Sequence, residues 1–336
     1  MQLSSLEGKR KIPRVESVPV DGMVVRGCKY VALVPVTVSL AGVCWLWLAF
    51  TGLSSSALAA AGRVTIVSGG IPRTAILVEH QRLKQGRRPV VIILRGGRAK
   101  GARLRRTFGF EEMARWSGTV LVYPQPLSGH WPDAPGPEAN RDLAFIHDLI
   151  AKFVAGGIAN PGKIFLVGIS TGGMMALRLA CDPKISLAGL ATLSASLPAD
   201  LADACKPAHP LPLLMIAGTE DPVIPFRGGQ ANLPHGKAAL VVSVETTLGL
   251  FGKAAGCTAG MTTIILPEKD SHGGTRAYLD KLNNCTVPVE LVRIEGGGHA
   301  LPGPSSEAGP GPEQGLISGD VNSAKLVWDF FRPLGG

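Results

Sequence analysis

The stretch KIFLVGISTGGMMALRLA, residues 163–180, passes from an apolar, β-branched run through Gly168, Ser170 and Gly172 into a helical pattern. The letters GxSxG decide little by themselves, because a chain this rich in glycine and serine contains them about 0.3 times by chance. Context decides. A serine that attacks a carbonyl has to stand on a sharp turn between a buried strand and a helix, and small residues two positions before and after it let the backbone bend without a clash. KIFLVG supplies the strand, Gly168 and Gly172 the small residues, and GGMMALRLA the helix, carrying Met174, Leu177 and Leu179. Ser170 therefore reads as a nucleophile rather than as one more serine in a glycine-rich turn.

Outward from this stretch, apolar runs recur with helical patterns between them. RVTIVS (63–68) and TAILVE (74–79) predict an opening hairpin, and PVVIILR (89–95), GTVLVYP (118–124), KIFLVG (163–168), PLLMIAG (212–218) and VELVRIE (289–295) predict buried strands. Between them, ANRDLAFIHDLIAKFVAGG (139–157) puts Leu143, Ile146, Leu149, Ile150 and Phe153 on one helical face, with Asp142 in the first turn and Gly156 at the end. GDVNSAKLVWDFF (319–331) predicts a closing helix capped by Asp320. Strands alternating with helices imply an α/β protein with a mostly parallel central sheet covered on both faces. The prolines and glycines of LPGPSSEAGPGPEQG (301–315) make that stretch a surface loop.

A serine hydroxyl is a weak nucleophile until a base takes its proton, and the base needs a carboxylate to orient it. After Ser170, the strand PLLMIAG runs into TEDPVIP and places Asp221 just past a strand end. Glu220 is the rival, but Asp221 precedes a proline that fixes the loop. Three histidines follow. His235 comes too soon to have crossed another strand, and His272 sits in the polar loop EKDSHGG, whereas His299 follows VELVRIE directly in GGGHALPG. A glycine loop delivering His299 from a strand end is what a base in this chain order needs. The earlier histidines, His80, His130, His147 and His209, read as structural. Stabilising the oxyanion of a tetrahedral intermediate takes backbone N–H donors. Thr171, next after the serine, supplies one, and Gly96 or Gly97 after VVIILR supplies another.

These segments together resemble the secreted α/β-hydrolase esterases of the polyhydroxybutyrate depolymerase and feruloyl esterase type. The resemblance covers residues 65–333 and is carried by GISTGGMMALRLAC, GTEDPVIPFRGG, GGGHALPG, VYPQPLSGHW and VWDFF. It implies an α/β-hydrolase fold, serine ester hydrolysis with no cofactor, a triad of Ser170, Asp221 and His299, and a substrate cleft that includes Trp131. The chain departs from the family at two places. Arg95-Gly96 stands where the family commonly has His-Gly, and Leu301 stands where it has a tryptophan in the cleft near the base. Losing that aromatic weakens stacking on a ferulate ring, and no separate polymer-binding module follows the domain, so soluble acyl esters or short hydroxyacid oligomers are the expected substrates. A peptidase or acyltransferase would use the same residues, and a non-catalytic secreted binding protein would leave Ser170 inert.

The first 60 residues differ from the rest. Arg26 and Lys29 precede an apolar run, Tyr30 to Phe50, and Ala57 and Ala59 form a small-residue cleavage pattern, so residues 1–60 read as an export signal and 61–336 as one catalytic domain. A start at Met23 would give the signal an ordinary length. The alternative is an uncleaved anchor through residues 30–50. Cleavage would leave Cys181, Cys205, Cys257 and Cys285, enough for two disulfides in any of three pairings, of which the sequential one closes the shortest loops. No CxxC or HxxxH spacing suggests a metal. The net charge is +9, and six basic and three acidic residues before residue 60 account for three of those charges. The densest basic run, Arg95, Arg98, Lys100, Arg103, Arg105 and Arg106, lacks interleaved aromatics and reads as solvated surface rather than a nucleic-acid stripe. The expected partner is thus an ester substrate alone, with no nucleic acid, no membrane beyond the N-terminal segment, and a monomeric state.

Overall fold

The structure is a computed structural model and describes residues 60–79, 86–97, 109–233, 239–269, 273–302 and 314–336. All of the export segment except Ala60, the basic residues from Arg98 to Arg106, His80, His235, His272 and most of the 301–315 loop lie outside the described residues.

Two glycines turn the opening hairpin. β1 (Ala60–Ser68) and β2 (Ile71–Glu79) are antiparallel and in register from Ala60 opposite Glu79 to Ser68 opposite Ile71. Gly69 and Gly70 take φ of +55° and +76°, the pair of left-handed residues that a two-residue hairpin turn matching strand twist requires. Both strands begin three residues before the apolar runs that announced them.

The expected buried strands follow as β3 (Arg88–Leu94), β4 (Val120–Pro124), β5 (Ala159–Ile169) and β7 (Leu213–Gly218), joined by a further short strand, β6 (Gly189–Leu193). After a small separate pair, β8 (Gly229–Ala231) and β9 (Ala239–Val241), come β10 (Ala259–Ile265), β11 (Arg276–Asn283) and the expected β12 (Val289–Glu295). The ten-stranded sheet runs β1-β2-β4-β3-β5-β6-β7-β12-β11-β10. Its six central strands are parallel, and each edge is closed by two antiparallel strands. Full burial on both faces explains why the central strands are continuous apolar runs rather than alternating ones.

Alternate residues of each central strand feed separate cores. Val90, Ile92 and Leu94 of β3 join one, and Val91 and Ile93 the other. The first core is roofed by α2 (Pro137–Ala155), α3 (Thr171–Ala180) and α4 (Val244–Ala254); the second by α1 (Phe110–Ser117) and α5 (Ser323–Phe331). Two disulfides, Cys181–Cys205 and Cys257–Cys285, tie loops onto the first core and realise the sequential pairing. None of the helices among the described residues is long and apolar enough to cross a membrane.

Two local expectations are corrected. Asp142 is no first-turn residue of α2, which begins five residues earlier. It is fully buried and accepts hydrogen bonds from the Arg73 guanidinium and, at 3.2 Å, from Leu127 N–H. Burial pushes its carboxyl up, against the hydrogen bond and charge of Arg73, whose guanidinium also lies 4.1 Å over the Phe145 ring. The cap of α5 is Asn322, whose side chain accepts Lys325 N–H at 2.9 Å, whereas Asp320 lies buried and accepts Lys269 N–H.

Candidate active site

The site lies at the carboxyl ends of the central parallel strands, where the chain leaves β3, β5, β7 and β12. β5 ends at Ile169, and Ser170 takes φ +55°, a conformation that a side-chain-bearing residue adopts only at a cost of about 1–3 kcal/mol. Surrounding contacts hold it there. Ser170 N–H donates to the Leu193 carbonyl of β6 at 2.9 Å, and the Ser170 carbonyl accepts Gly173 N–H at 2.8 Å and Met174 N–H at 3.1 Å, opening α3. The flanking glycines are required by close approach. A Cβ on Gly168 would lie 2.5 Å from Gly173 Cα, and one on Gly172 would lie 2.2 Å from the Leu94 carbonyl oxygen.

Asp221 and His299 are brought together by the pairing of β7 with β12. Beyond the strand ends, Thr219 N–H donates to the Ile294 carbonyl and Glu220 N–H to the Gly297 carbonyl, both at 2.9 Å. The glycine loop is held from the other side by His299 N–H on the Gln314 carbonyl (2.6 Å) and Gly298 N–H on the Leu316 carbonyl (2.9 Å). Asp221 turns its Oδ1 toward Val223 N–H and Ile224 N–H, each at 2.8 Å, and its Oδ2 meets His299 Nδ1 at 2.7 Å. His299 Nε2 lies 2.9 Å from Ser170 Oγ. With the proton on Nδ1, the imidazole donates to Asp221 and its Nε2 accepts the serine hydroxyl. Asp221 is buried. Buried and doubly hydrogen-bonded through Oδ1, the Asp221 carboxylate can orient only one ring. Glu220 plays no part in this line, and His130, His147 and His209 bond elsewhere or lie exposed: His147 pairs with Asp182 at 3.0 Å and His130 faces the Ser128 carbonyl.

Around the serine, Thr171 is the first residue of α3, where backbone N–H groups have no partner within the helix. Gly96 packs directly against the elbow, since a Cβ there would sit 2.7 Å from Ser170 Cβ and 2.9 Å from the Ile169 carbonyl oxygen. Gly97 takes φ +55° and is exposed, with open space beside it.

Two expectations about the surroundings are corrected. Trp131 is fully buried in the first core, so it does not line an open cleft. Arg95 is not solvated surface: it is 7% exposed, and its guanidinium donates to the carbonyls of Gly97 and Gly129. Leu301, two residues past His299, is half-buried against the second core. Sequence reasoning missed the contacts that fix loop 125–131, namely Arg73 on the Gln125 carbonyl (3.1 Å) and Asp142 under Leu127 N–H. An arginine in a strand and an aspartate inside an apolar helical face were the available signals. Among the described residues no cluster of histidine, cysteine and acidic side chains could hold a metal ion.

The model of the alpha/beta hydrolase family matches residues 106–308, more than half of the chain. NocK of Nocardia uniformis subsp. tsuyamanensis, which carries the name of an esterase, is 27% identical over 74% of this chain and 75% of its own length. Feruloyl esterase B of Piromyces equi is 28% identical over 52% of this chain, which spans only 32% of that enzyme's length. Among solved structures, the acetyl xylan esterase of Aspergillus awamori superposes with a TM-score of 0.52 over 81% of this chain and 99% of its own, at 11% identity, a likeness of fold alone.

Proposed function

The chain belongs to the alpha/beta hydrolase family, and from that premise we propose that it is a secreted serine esterase acting on soluble carboxylic esters. It is a carboxylic ester hydrolase in which Ser170, His299 and Asp221 form the catalytic triad. The observation that carries this reading is the unbroken line of hydrogen bonds from Asp221 Oδ2 through both ring nitrogens of His299 to Ser170 Oγ. The esterase names of its relatives and the strained seat of Ser170 support it.

In the reaction, His299 Nε2 takes the proton of Ser170 as Oγ attacks the ester carbonyl. The negative charge that develops is received by N–H groups of Thr171 and of the Gly96-Gly97 segment. His299 then gives its proton to the departing alcohol, leaving an acyl group on Ser170. Water, deprotonated by the same nitrogen, attacks the acyl carbonyl, and the acid leaves as Ser170 recovers its proton. Asp221 keeps the imidazole in the required tautomer and balances its charge when protonated.

Short acyl esters and hydroxyacid oligomers suit the site better than aromatic ones, because Leu301 offers no ring for stacking. Two disulfides support an oxidising destination, reached through an export signal in residues 1–60 with residues 61–336 as the catalytic domain. The test is a panel of p-nitrophenyl acyl esters, methyl ferulate and hydroxybutyrate oligomers, each with its matched amide, assayed with Ser170→Ala as control. Turnover of short esters that vanishes in the variant is expected. Activity on amides alone would replace the esterase with a peptidase, and no activity on any member would refute the reading.

A further inference from the structure

Arg95 is buried beside the candidate site, and the chemistry proposed above makes no use of its side chain. Among the described residues it has no carboxylate partner. Its Nη1 donates to the Gly97 carbonyl at 2.8 Å, its Nη2 to the Gly129 carbonyl at 3.2 Å, and its Nε is buried with no acceptor. Loss of solvent pushes the guanidinium pKa down, so the position is a costly one for a cation. A neutral side chain would occupy the same turn without that cost.

The two carbonyls it joins belong to the two loops that flank Ser170. Gly97 lies in the glycine pair after β3, whose Gly96 touches the serine's own Cβ neighbourhood at a would-be 2.7 Å. Gly129 lies in loop 125–131, already fastened at its start by Arg73 on the Gln125 carbonyl and by Asp142 under Leu127 N–H, and at its end by the buried Trp131. Loop 125–131 is therefore a fixed wall. The glycine pair is the opposite: two adjacent glycines have more backbone freedom to lose than any other pair, and Gly97 must be kept in a left-handed conformation. Donors to an oxyanion act only when they are held in place before the charge develops.

We propose that Arg95 is a positioning residue that locks the Gly96-Gly97 segment to loop 125–131 and so fixes the oxyanion donors of the ester hydrolase. The inference rests on the esterase reading. A guanidinium suits this task because its planar fork can hold two carbonyls at once, which neither an ammonium nor an amide does with the same geometry.

The experiment compares wild type, Arg95→Lys and Arg95→Gln by steady-state kinetics on a short-chain aryl ester, with active sites counted by a fluorophosphonate burst. Both variants are expected to lose about 10- to 100-fold in kcat per labelled site, with KM within about threefold, because a misplaced donor acts on the transition state far more than on the bound ester. A variant that labels in smaller yield and melts earlier, yet keeps the wild-type kcat per labelled site, would reduce Arg95 to a structural role and overturn the proposal. So would full activity in Arg95→Lys beside loss in Arg95→Gln, which would make charge rather than bridging the decisive property. Wild type that hydrolyses no ester would overturn the esterase reading, and this inference with it.

Discussion

Adding a single methyl group at Gly96 should separate the Gly96-Gly97 loop from Ser170. A Cβ at this position would stand 2.7 Å from Ser170 Cβ, 2.9 Å from the Ile169 carbonyl oxygen and 3.4 Å from Ser170 Oγ. Ordinary carbon contacts begin at about 3.5 Å, so the two backbones must part by roughly 0.5–1 Å. Neither obstacle can swing away, because Ile169 ends a strand paired on both sides and Ser170 is held by Leu193 and by the first turn of α3. Displacements of about 1 Å in a catalytic constellation cost on the order of 10²-fold in rate, and overpacking of this kind costs about 1–3 kcal/mol of stability. Gly96→Ala is therefore expected to lower kcat about 100-fold on a p-nitrophenyl ester while the protein stays folded at 25 °C. Gly62→Ala, where a Cβ meets nothing within 4 Å, serves as the control and should match wild type. A Gly96→Ala enzyme with kcat within twofold of wild type would refute the close approach of this loop to Ser170.

Other perturbations reach the scaffold. Arg73→Met would leave Asp142 buried without its partner, an expected loss of about 3–5 kcal/mol, seen by differential scanning fluorimetry as a fall in Tm of about 10 °C. Replacing Cys257 and Cys285 by alanine opens a loop of sequence separation 28 and is expected to cost about 3.5 kcal/mol in urea denaturation, with kcat unchanged because Cys285 precedes β12 whereas Ser170 and His299 follow the carboxyl ends of their strands. The Asp182 carboxyl is held below its ordinary range: burial acts to raise it, but Lys184 N–H and the hydrogen bond and charge of His147 outweigh burial. Its contribution is thus complete above the unfolded value of about 3.9 and lost as pH falls below it. In Asp182→Asn the stability deficit relative to wild type should shrink as pH falls from about 5 toward 3; a deficit that grows with acidity over that range would contradict that sign.

The central strands were legible because burial on both faces leaves them as uninterrupted apolar runs, as in VVIIL and FLVGI. The elbow was legible because Gly168 and Gly172 are required by contacts that no other residue permits. Asp221 and His299 could be placed because each follows a strand end in the right order, and β7 and β12 prove to be neighbours. What escaped includes two strands that are short or exposed, together with β11, α1 and α4. β6 has five residues, and β10 is exposed along its whole length, so neither carries a strong periodic signal. Asp142 and Asp320 were misread for a shared reason: an acidic residue near a helix start resembles a cap, and only tertiary packing reveals that each is buried. Trp131 and Arg95 failed in opposite directions, because an aromatic in a site loop suggests contact with substrate and an arginine in a basic run suggests solvent, whereas both side chains face inward.

The most direct measurement is mass-spectrometric mapping of a fluorophosphonate adduct on the purified protein. The account predicts a single adduct on Ser170, absent in Ser170→Ala and formed at least 100-fold more slowly in His299→Ala, since the hydroxyl then lacks its base. An adduct on another residue, or labelling of Ser170 at an undiminished rate without His299, would contradict it.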